Sequence, residues 1–188
     1  MRNVIYSMTM SLDGYVTDAA GEINWTDPDD ELHRFHNDRA RGQSAQLLGR
    51  RLYEAMTYWE DASADDPAAT ETMHDFARIW VPMEKIVFSR TLTEVRGTNT
   101  RLAQGTPAEE VARLKAEPGE GDIGVGGADL AAQLVAEGLV DDFQLFVAPI
   151  VLGGGTPFFP PLDHRIPLEL VERREFTGGI QYLRYRPA

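Results

Sequence analysis

Arginines placed where an apolar strand gives way to a helix or a loop are the residues of this chain best suited to bind anions. In Leu47-Leu48-Gly49-Arg50-Arg51-Leu52-Tyr53-Glu54 a buried strand ends on glycine and two arginines open the helix that follows. Glycine lets a ligand approach the backbone, and a helix start offers free N–H groups and partial positive charge. Two cations in a first turn oppose the helix dipole at a cost of about 0.3–1 kcal/mol, which a bound anion would remove; a solvated arginine pair on an exposed turn is the other reading. A second junction is Ile123-Gly124-Val125-Gly126-Gly127-Ala128-Asp129-Leu130. Its consecutive glycines suit close approach of a diphosphate, and a tight packing turn would use them equally well. It is not the dinucleotide fingerprint G-x-G-x-x-G, because Asp129 stands where the third glycine belongs. The third, Val87-Phe88-Ser89-Arg90-Thr91, ends a strand in a hydroxyl and a guanidinium, a pair suited to a phosphomonoester.

These junctions stand out against the rest of the chain. The net charge is −12, so the molecule as a whole repels nucleic acid, and positive charge matters only where it is concentrated. Nearly all of that charge is arginine, Lys85 and Lys115 being the only lysines. Three anion-suited junctions in an acidic protein point to a ligand with separated phosphates, such as NADPH with its diphosphate and 2′-phosphate.

The elements that must position these junctions alternate. Val4 to Met10 reads as a first strand, followed by a turn at Ser11-Leu12-Asp13-Gly14 and a loop to about Thr26. Asp27 or Asp29 caps a helix over 28–41 that turns Leu32 and Phe35 to the core. Ala45 to Leu48 is a short strand, with a helix from Arg50 carrying Leu52, Tyr53 and Met56 on one face. The acidic residues at 60–70 form a surface loop, Thr70 to Trp80 a helix, and Lys85 to Ser89 a strand. Pro107 to Ala116 is a helix with proline at its start, Asp122 to Val125 a strand, Leu130 to Glu137 a helix, and Phe143 to Val151 a strongly apolar strand. Leu168 to Phe176 and Ile180 to Arg186 close the chain as a hairpin about Gly178-Gly179. This is a three-layer α/β/α pattern with a mostly parallel mixed sheet and an antiparallel C-terminal hairpin.

The length of 188 residues fits one domain over 1–188 and needs no staple, and cysteine is absent, which excludes disulfides and thiolate chemistry. No stretch is apolar enough to span a bilayer, and the N-terminus lacks a signal-peptide core, so a cytoplasmic protein with no membrane partner is expected. His33, His36, His74 and His164 have no metal-ligand spacing and read as surface or helix-cap positions. Phe158-Phe159-Pro160-Pro161 is an apolar loop for a pocket wall or a dimer contact, and Trp59 and Trp80 read as core or interface aromatics.

The ordered set Trp25, Leu48-Gly49-Arg50, Ile86-Val87-Phe88-Ser89, Val125-Gly126-Gly127 and Asp142-Phe143-Gln144-Leu145-Phe146 resembles dihydrofolate reductase from end to end. Met10-Ser11-Leu12-Asp13-Gly14, Gly21-Glu22-Ile23-Asn24-Trp25 and Ala148-Pro149-Ile150-Val151-Leu152-Gly153-Gly154-Gly155 resemble the reductase domain of the riboflavin-biosynthesis deaminase-reductases. The resemblance implies a dihydrofolate-reductase-like fold, a homodimer, and hydride transfer from NADPH to a C=N or C=O bond of a small heterocyclic substrate. It implies that Gly49, Arg50 and Arg51 hold cofactor phosphates and that Ser89 and Arg90 take the 2′-phosphate and adenosine end. Gly126 and Gly127, joined by a cis peptide in dihydrofolate reductases, would sit against the diphosphate with Ala128, Asp129 and Leu130. Met8 and Thr9 would border the nicotinamide, with Leu152 and Gly153 in a loop near its ribose. Trp25, Asp30 and Phe35 would face the substrate, and Asp30, or ordered water, would supply the proton. Asp27, Asp29 and Glu31 compete with Asp30, and an acidic helix start needs no ligand to explain it.

Both relatives' substrate contacts are altered. Val81-Pro82-Met83-Glu84 stands where folate enzymes carry an arginine for the glutamate tail, so folate is disfavoured. Val125 replaces the glutamate that riboflavin-type reductases carry two residues before the glycine matching Gly127. The reading that emerges is a reductase resembling the aminopyrimidine reductases. Dihydrofolate reductase proper, a protein that binds NADP(H) without catalysis, and a different enzyme using the same pocket are the alternatives.

Overall fold

A computed structural model describes residues 2–25, 27–60 and 66–188. In chain order its elements are β1 (Val4–Ser11), α1 (Asp30–Arg41), β2 (Gln43–Gly49), α2 (Arg50–Met56) continued by a 3-10 turn Thr57–Trp59, α3 (Glu71–Trp80), β3 (Glu84–Phe88), β4 (Thr100–Leu102), α4 (Pro107–Ala116), β5 (Asp122–Gly126), α5 (Ala128–Ala136), β6 (Asp142–Ala148), β7 (Leu168–Glu175) and β8 (Gln181–Pro187). Among the described residues the strands form one sheet in the order β4-β3-β2-β5-β1-β6-β8-β7. It is parallel from β4 to β6 and antiparallel where β8 joins β6 and β7 joins β8.

The period-two alternation of each strand divides the core into two layers. Val4 and Tyr6 of β1, Leu47 of β2, Ile86 of β3, Val125 of β5 and Leu145 of β6 face α4 and α5 through Val111, Leu114, Leu130, Ala131 and Leu134. On the other face Phe146 and Tyr182 pack against Leu32 and Phe35 of α1, while Leu48 and Val87 pack against Tyr53 of α2 and Trp80 of α3. The expected three layers are therefore present, with α1, α2 and α3 on one side and α4 and α5 on the other.

Three helices start on side-chain caps. The Asp29 carboxylate accepts from Leu32 N at 2.8 Å, so of the two aspartates expected at this start Asp29 is the cap. Thr70 accepts from Met73 N at 3.3 Å, and Thr106 and Glu109 cap one another's backbone at 3.2 and 2.8 Å. Helices α2 and α5 differ: each starts after a glycine, Gly49 or Gly127, with no side-chain cap.

Some boundaries depart from the sequence reading. β4 has no sequence signal of its own, being three residues held at the edge by pairing with β3. α5 begins at Ala128 rather than Leu130, directly on Gly127. β6 stops at Ala148 because Pro149 has no N–H to continue the ladder. The acidic residues 61–65 of the expected surface loop lie outside the described residues. Among the described residues no helix is long and apolar enough to cross a membrane.

Asp142 fastens the hairpin to the parallel sheet. Its carboxylate is 1% exposed and accepts from Arg184 Nε at 2.9 Å, Arg186 Nε at 3.1 Å and Gln144 Nε2 at 3.2 Å. Removing it leaves a buried hole and takes the shared acceptor from Arg184, which also has Glu172 at 3.8 Å, and from the half-exposed Arg186, so Asp142→Ala is expected to lower unfolding free energy by about 2–4 kcal/mol. Urea denaturation checks this; an unchanged midpoint would show that water replaces the carboxylate without penalty.

Candidate active site

β1 lies between β5 and β6, but it is not paired with both along its length. Val4, Ile5 and Tyr6 pair with Ile123, Gly124 and Val125 of β5, and the pairing stops there. Pairing with β6 continues through Ser11. Over Ser7–Met10 the strand has β6 on one side only, and these four residues are half-buried although they sit on a central strand. The sheet is open at this point, along the carboxyl ends of parallel strands where α/β sheets take their ligands. Met8 and Thr9 lie in the opening. Neither the Ser7 nor the Thr9 hydroxyl makes a hydrogen bond among the described residues.

The two uncapped helix starts stand side by side at one end of this opening. Leu48 is in register with Gly126, and a Cβ added at Gly127 would lie 3.8 Å from Gly49 Cα. Gly127 has φ +99°, a conformation that favours glycine, and at Gly126 a Cβ would collide with the Leu52 side chain. No peptide bond between described residues is cis, so the Gly126–Gly127 bond is trans, unlike that of the dihydrofolate reductases. The free N–H groups of α2 and α5 thus come together, each with the partial charge of a helix start. Ala128 and Leu130 turn their side chains into the core, which leaves only their backbone to meet a ligand, while Asp129 is exposed.

Positive charge collects at the α2 start. Arg50, Arg51 and Arg90 are exposed, and Arg51 and Arg90 have no ion-pair partner among the described residues. Arg50 reaches Thr91 Oγ1 at 3.5 Å, which brings the end of β2 together with the turn after β3. That turn is shaped by Ser89, whose hydroxyl accepts from Thr91 N at 3.1 Å and Leu92 N at 3.0 Å. Gly21 brings the loop after β1 against Arg51, where a Cβ would stand 3.7 Å from Nη1.

The rim beyond β1 and β6 is two loops clamped together. The Asp13 carboxylate accepts from Leu152 N at 3.1 Å and Gly153 N at 2.7 Å. The Ser11 hydroxyl and these amides hold its pKa down at about 2. Val16 N donates to Thr156 O at 2.8 Å and Phe158 N to Gly14 O at 2.8 Å, and a Cβ at Gly155 would collide with the Thr17 carbonyl. Leu152 and Gly153, expected in a loop near the cofactor ribose, therefore have their amides spent on Asp13. Phe158 stacks on Tyr6 with ring centroids 4.2 Å apart, so of the two roles open to the Phe-Phe-Pro-Pro loop this ring takes neither and fills the core.

On the opposite face the expected substrate residues separate. Trp25 is half-buried, with an indole N–H that has no hydrogen-bond partner among the described residues. Asp30 turns away from the opening to Thr72 Oγ1 and Arg34. Phe35 is taken up by an aromatic cluster with Phe146, Phe176 and Tyr182 at 6.1, 5.1 and 4.9 Å, so its ring packs the core. Instead His36 lies against Phe146 at 4.3 Å, and His33 meets Trp59 at 5.8 Å and Phe76 at 6.1 Å. Phe146 is in register with Thr9, so the His36 ring stands on the Ser7–Thr9 face of the opening. The sequence reading missed both histidines. Their spacing of three on a helix was the available signal, because it puts them on one face beside Leu32 and Phe35.

Comparison with known proteins agrees with this architecture. The family model of the RibD C-terminal domain matches residues 2–182. The chain is 31% identical over 186 residues to the uncharacterized protein YyaP of Bacillus subtilis (strain 168), covering 98% of this chain and 94% of YyaP. A proposed riboflavin biosynthesis protein from Shewanella sp. PV-4 superposes with TM-score 0.73 at 21% identity, over 100% of this chain and 99% of that one. Dihydrofolate reductase from Enterococcus faecalis, complexed with NADP(H), superposes with TM-score 0.62 at 18% identity, over 98% and 96%. The dihydrofolate-reductase-like fold is thereby established.

Burial of the His36 ring lowers its pKa from 6.5 to about 4, and the charge of His33 acts in the same direction. Between these values the unfolded chain binds more protons than the folded one, so stability falls as pH drops through that window. His36→Phe is expected to flatten this part of a stability–pH profile relative to the wild type. An imidazole pKa at or above 6.5 in an NMR titration would contradict the assignment.

Proposed function

The chain belongs to the RibD C-terminal domain family, and from that premise we propose that it is an NADPH-dependent reductase acting on a C=N or C=O bond of a small pterin-like or aminopyrimidine-like heterocycle. The observation that carries this reading is the pair of uncapped helix starts on adjacent strands, set beside Arg51 and Arg90, which have no ion-pair partner among the described residues, in a protein of net charge −12. A dinucleotide diphosphate supplies what that arrangement lacks: acceptors for the free N–H groups and negative charge for the dipoles and guanidiniums.

The residues present fit such a cofactor. Gly49, Arg50, Arg51 and the backbone from Gly126 to Leu130 would hold the diphosphate. Arg50, Ser89 and Arg90 would take the 2′-phosphate, the reach of Arg50 to Thr91 supporting their convergence. The unpaired edge of Met8 and Thr9 would meet the nicotinamide carboxamide. Leu152 and Gly153 would border its ribose through carbonyl and Cα groups, since their amides serve Asp13. When bound, NADPH supplies the hydride, and the protein's part is to orient the reactants and exclude water. Trp25 would close the substrate side. With Asp30 engaged by Thr72 and Arg34, ordered water is the favoured proton source. Glu84, paired with Arg101 at 3.2 Å, keeps a carboxylate where a folate tail would need a cation, which argues against dihydrofolate as substrate.

Titration with NADPH and NADH tests the reading. Wild type is expected to prefer NADPH, and Arg50→Ala or Arg90→Ala to weaken NADPH by about 1.5–3 kcal/mol with a much smaller effect on NADH. Equal losses for both cofactors would move the 2′-phosphate elsewhere, and binding of neither would overturn the reductase reading.

A further inference from the structure

One buried hydroxyl joins α2 to the loop that follows β3. Tyr53 lies three residues after Arg50 on α2 and is 7% exposed. Its ring belongs to the cluster of Leu48, Trp80 and Val87, against which Leu92 and Val95 of the loop also pack. Its hydroxyl crosses 43 residues of sequence to a single position, donating to Arg96 O at 3.1 Å and accepting from Arg96 N at 2.8 Å. Just beyond, Thr98 N donates at 2.8 Å to Glu60 Oε2, and Glu60 Oε1 lies 3.0 Å from Lys85 Nζ in an almost wholly buried ion pair. Lys85 in turn donates to the carbonyls of Trp80, Val81 and Met83, so the chain after Arg96 is fastened to β3 and the end of α3. Residues 89–96 themselves have no regular structure. Ser89 shapes their first turn, and no ion pair among the described residues fixes the Arg90 guanidinium. The placement of Arg90 therefore depends on how the two ends of this segment are held, one by the β3 ladder and the other by Tyr53.

We propose that Tyr53 is a positioning residue for cofactor selection: by tying Arg96 to α2 it sets Ser89 and Arg90 beside Arg50, and so fixes the preference for a ribose carrying a 2′-phosphate. One helix carries Arg50 at its start and Tyr53 almost one turn later, so a single rigid element sets the spacing between the two sides of this phosphate clamp. A guanidinium on a loose loop has to be ordered when the phosphate arrives, at a cost in conformational entropy. A loop already fastened loses that entropy on folding and not on binding. The edge of β1 at Met8 and Thr9 lies on a different strand and makes no contact with Tyr53 that this effect needs, so the influence of the hydroxyl is confined to the 2′-phosphate. The proposal rests on the reductase reading for the assignment of Arg50, Ser89 and Arg90 to that phosphate, and adds what holds them together.

Tyr53→Phe removes the hydroxyl and keeps the ring in its cluster. Calorimetric titrations of wild type and variant with NADPH and NADH, and with adenosine 2′,5′-bisphosphate and 5′-AMP as fragments without nicotinamide, test the proposal. Tyr53→Phe is expected to weaken NADPH and the bisphosphate roughly threefold to tenfold, about the worth of one hydrogen bond, and to leave NADH and 5′-AMP at their wild-type affinities. In an Arg90→Ala background the same change should cost NADPH much less, because a group that Tyr53 positions is gone. Faster amide hydrogen exchange from Thr91 to Arg96 in the variant reports the loosened loop directly. Equal losses for ligands with and without the 2′-phosphate would reduce Tyr53 to a structural role. Unchanged NADPH affinity, fully additive losses in the double variant, or unchanged exchange over the loop would likewise overturn the proposal. If wild type binds neither dinucleotide the reductase reading falls by itself. The two fragments still decide the role of Tyr53, and no preference for the bisphosphate over 5′-AMP in wild type would overturn it.

Discussion

After Tyr6, β1 parts from β5 while it remains paired with β6, and the organisation of the site follows from this separation. A central strand of a covered sheet normally has both backbone edges paired and both faces packed. Here the first half of β1 meets that condition, with Val4, Ile5 and Tyr6 buried, and the second half does not. The buried half anchors the sheet. The half-buried half presents Met8 and Thr9 at the floor of the opening. Tyr6 marks the boundary: its ring stacks on Phe158, and its hydroxyl donates to the Phe158 carbonyl at 3.1 Å. The same residue that ends the β1–β5 ladder thus fastens the Phe158 loop to the core.

Electrostatics is allotted with the same economy. Carboxylates near the opening are mostly engaged as caps and clamps: Asp29 on its own helix, Asp30 on Thr72, and Asp13 on the amides of Leu152 and Gly153. The helix starts at Gly49 and Gly127 receive no such side chain. Side-chain caps are thus absent at the two helix starts that lie together, although Asp129 stands in the first turn of α5, and arginines gather beside the α2 start. An acidic protein with this arrangement repels polyanions as a whole and is locally receptive to a small one.

Much of the fold was legible in the sequence because local signals and tertiary needs coincide. Pro107 after Thr106 started α4 where the capping pair places it, and the glycines at 49, 126 and 127 marked the junctions that the sheet brings together. β4 was not legible, since three residues at an edge owe their form to β3. On the substrate side the resemblance pointed to Asp30, but a resemblance in sequence cannot say which neighbour claims a carboxylate. Thr72 lies 42 residues away and settles that question in the folded chain. Phe35 was legible both as core and as substrate contact, and the aromatic cluster from the C-terminal hairpin decides for the core. His33 and His36 were passed over because the sequence was searched for metal ligands, whereas their setting depends on Phe146, Trp59 and Phe76 arriving from three other elements.

The account turns on the two glycine-led helix starts receiving one diphosphate, and backbone amide NMR during titration with NADPH reads that contact most directly. The largest amide shifts are predicted at Arg50, Arg51 and Leu52 and at Gly127, Ala128 and Asp129, moving together with one dissociation constant. Shifts confined to one of these segments, or centred on α3 or the C-terminal hairpin while both remain still, would contradict it.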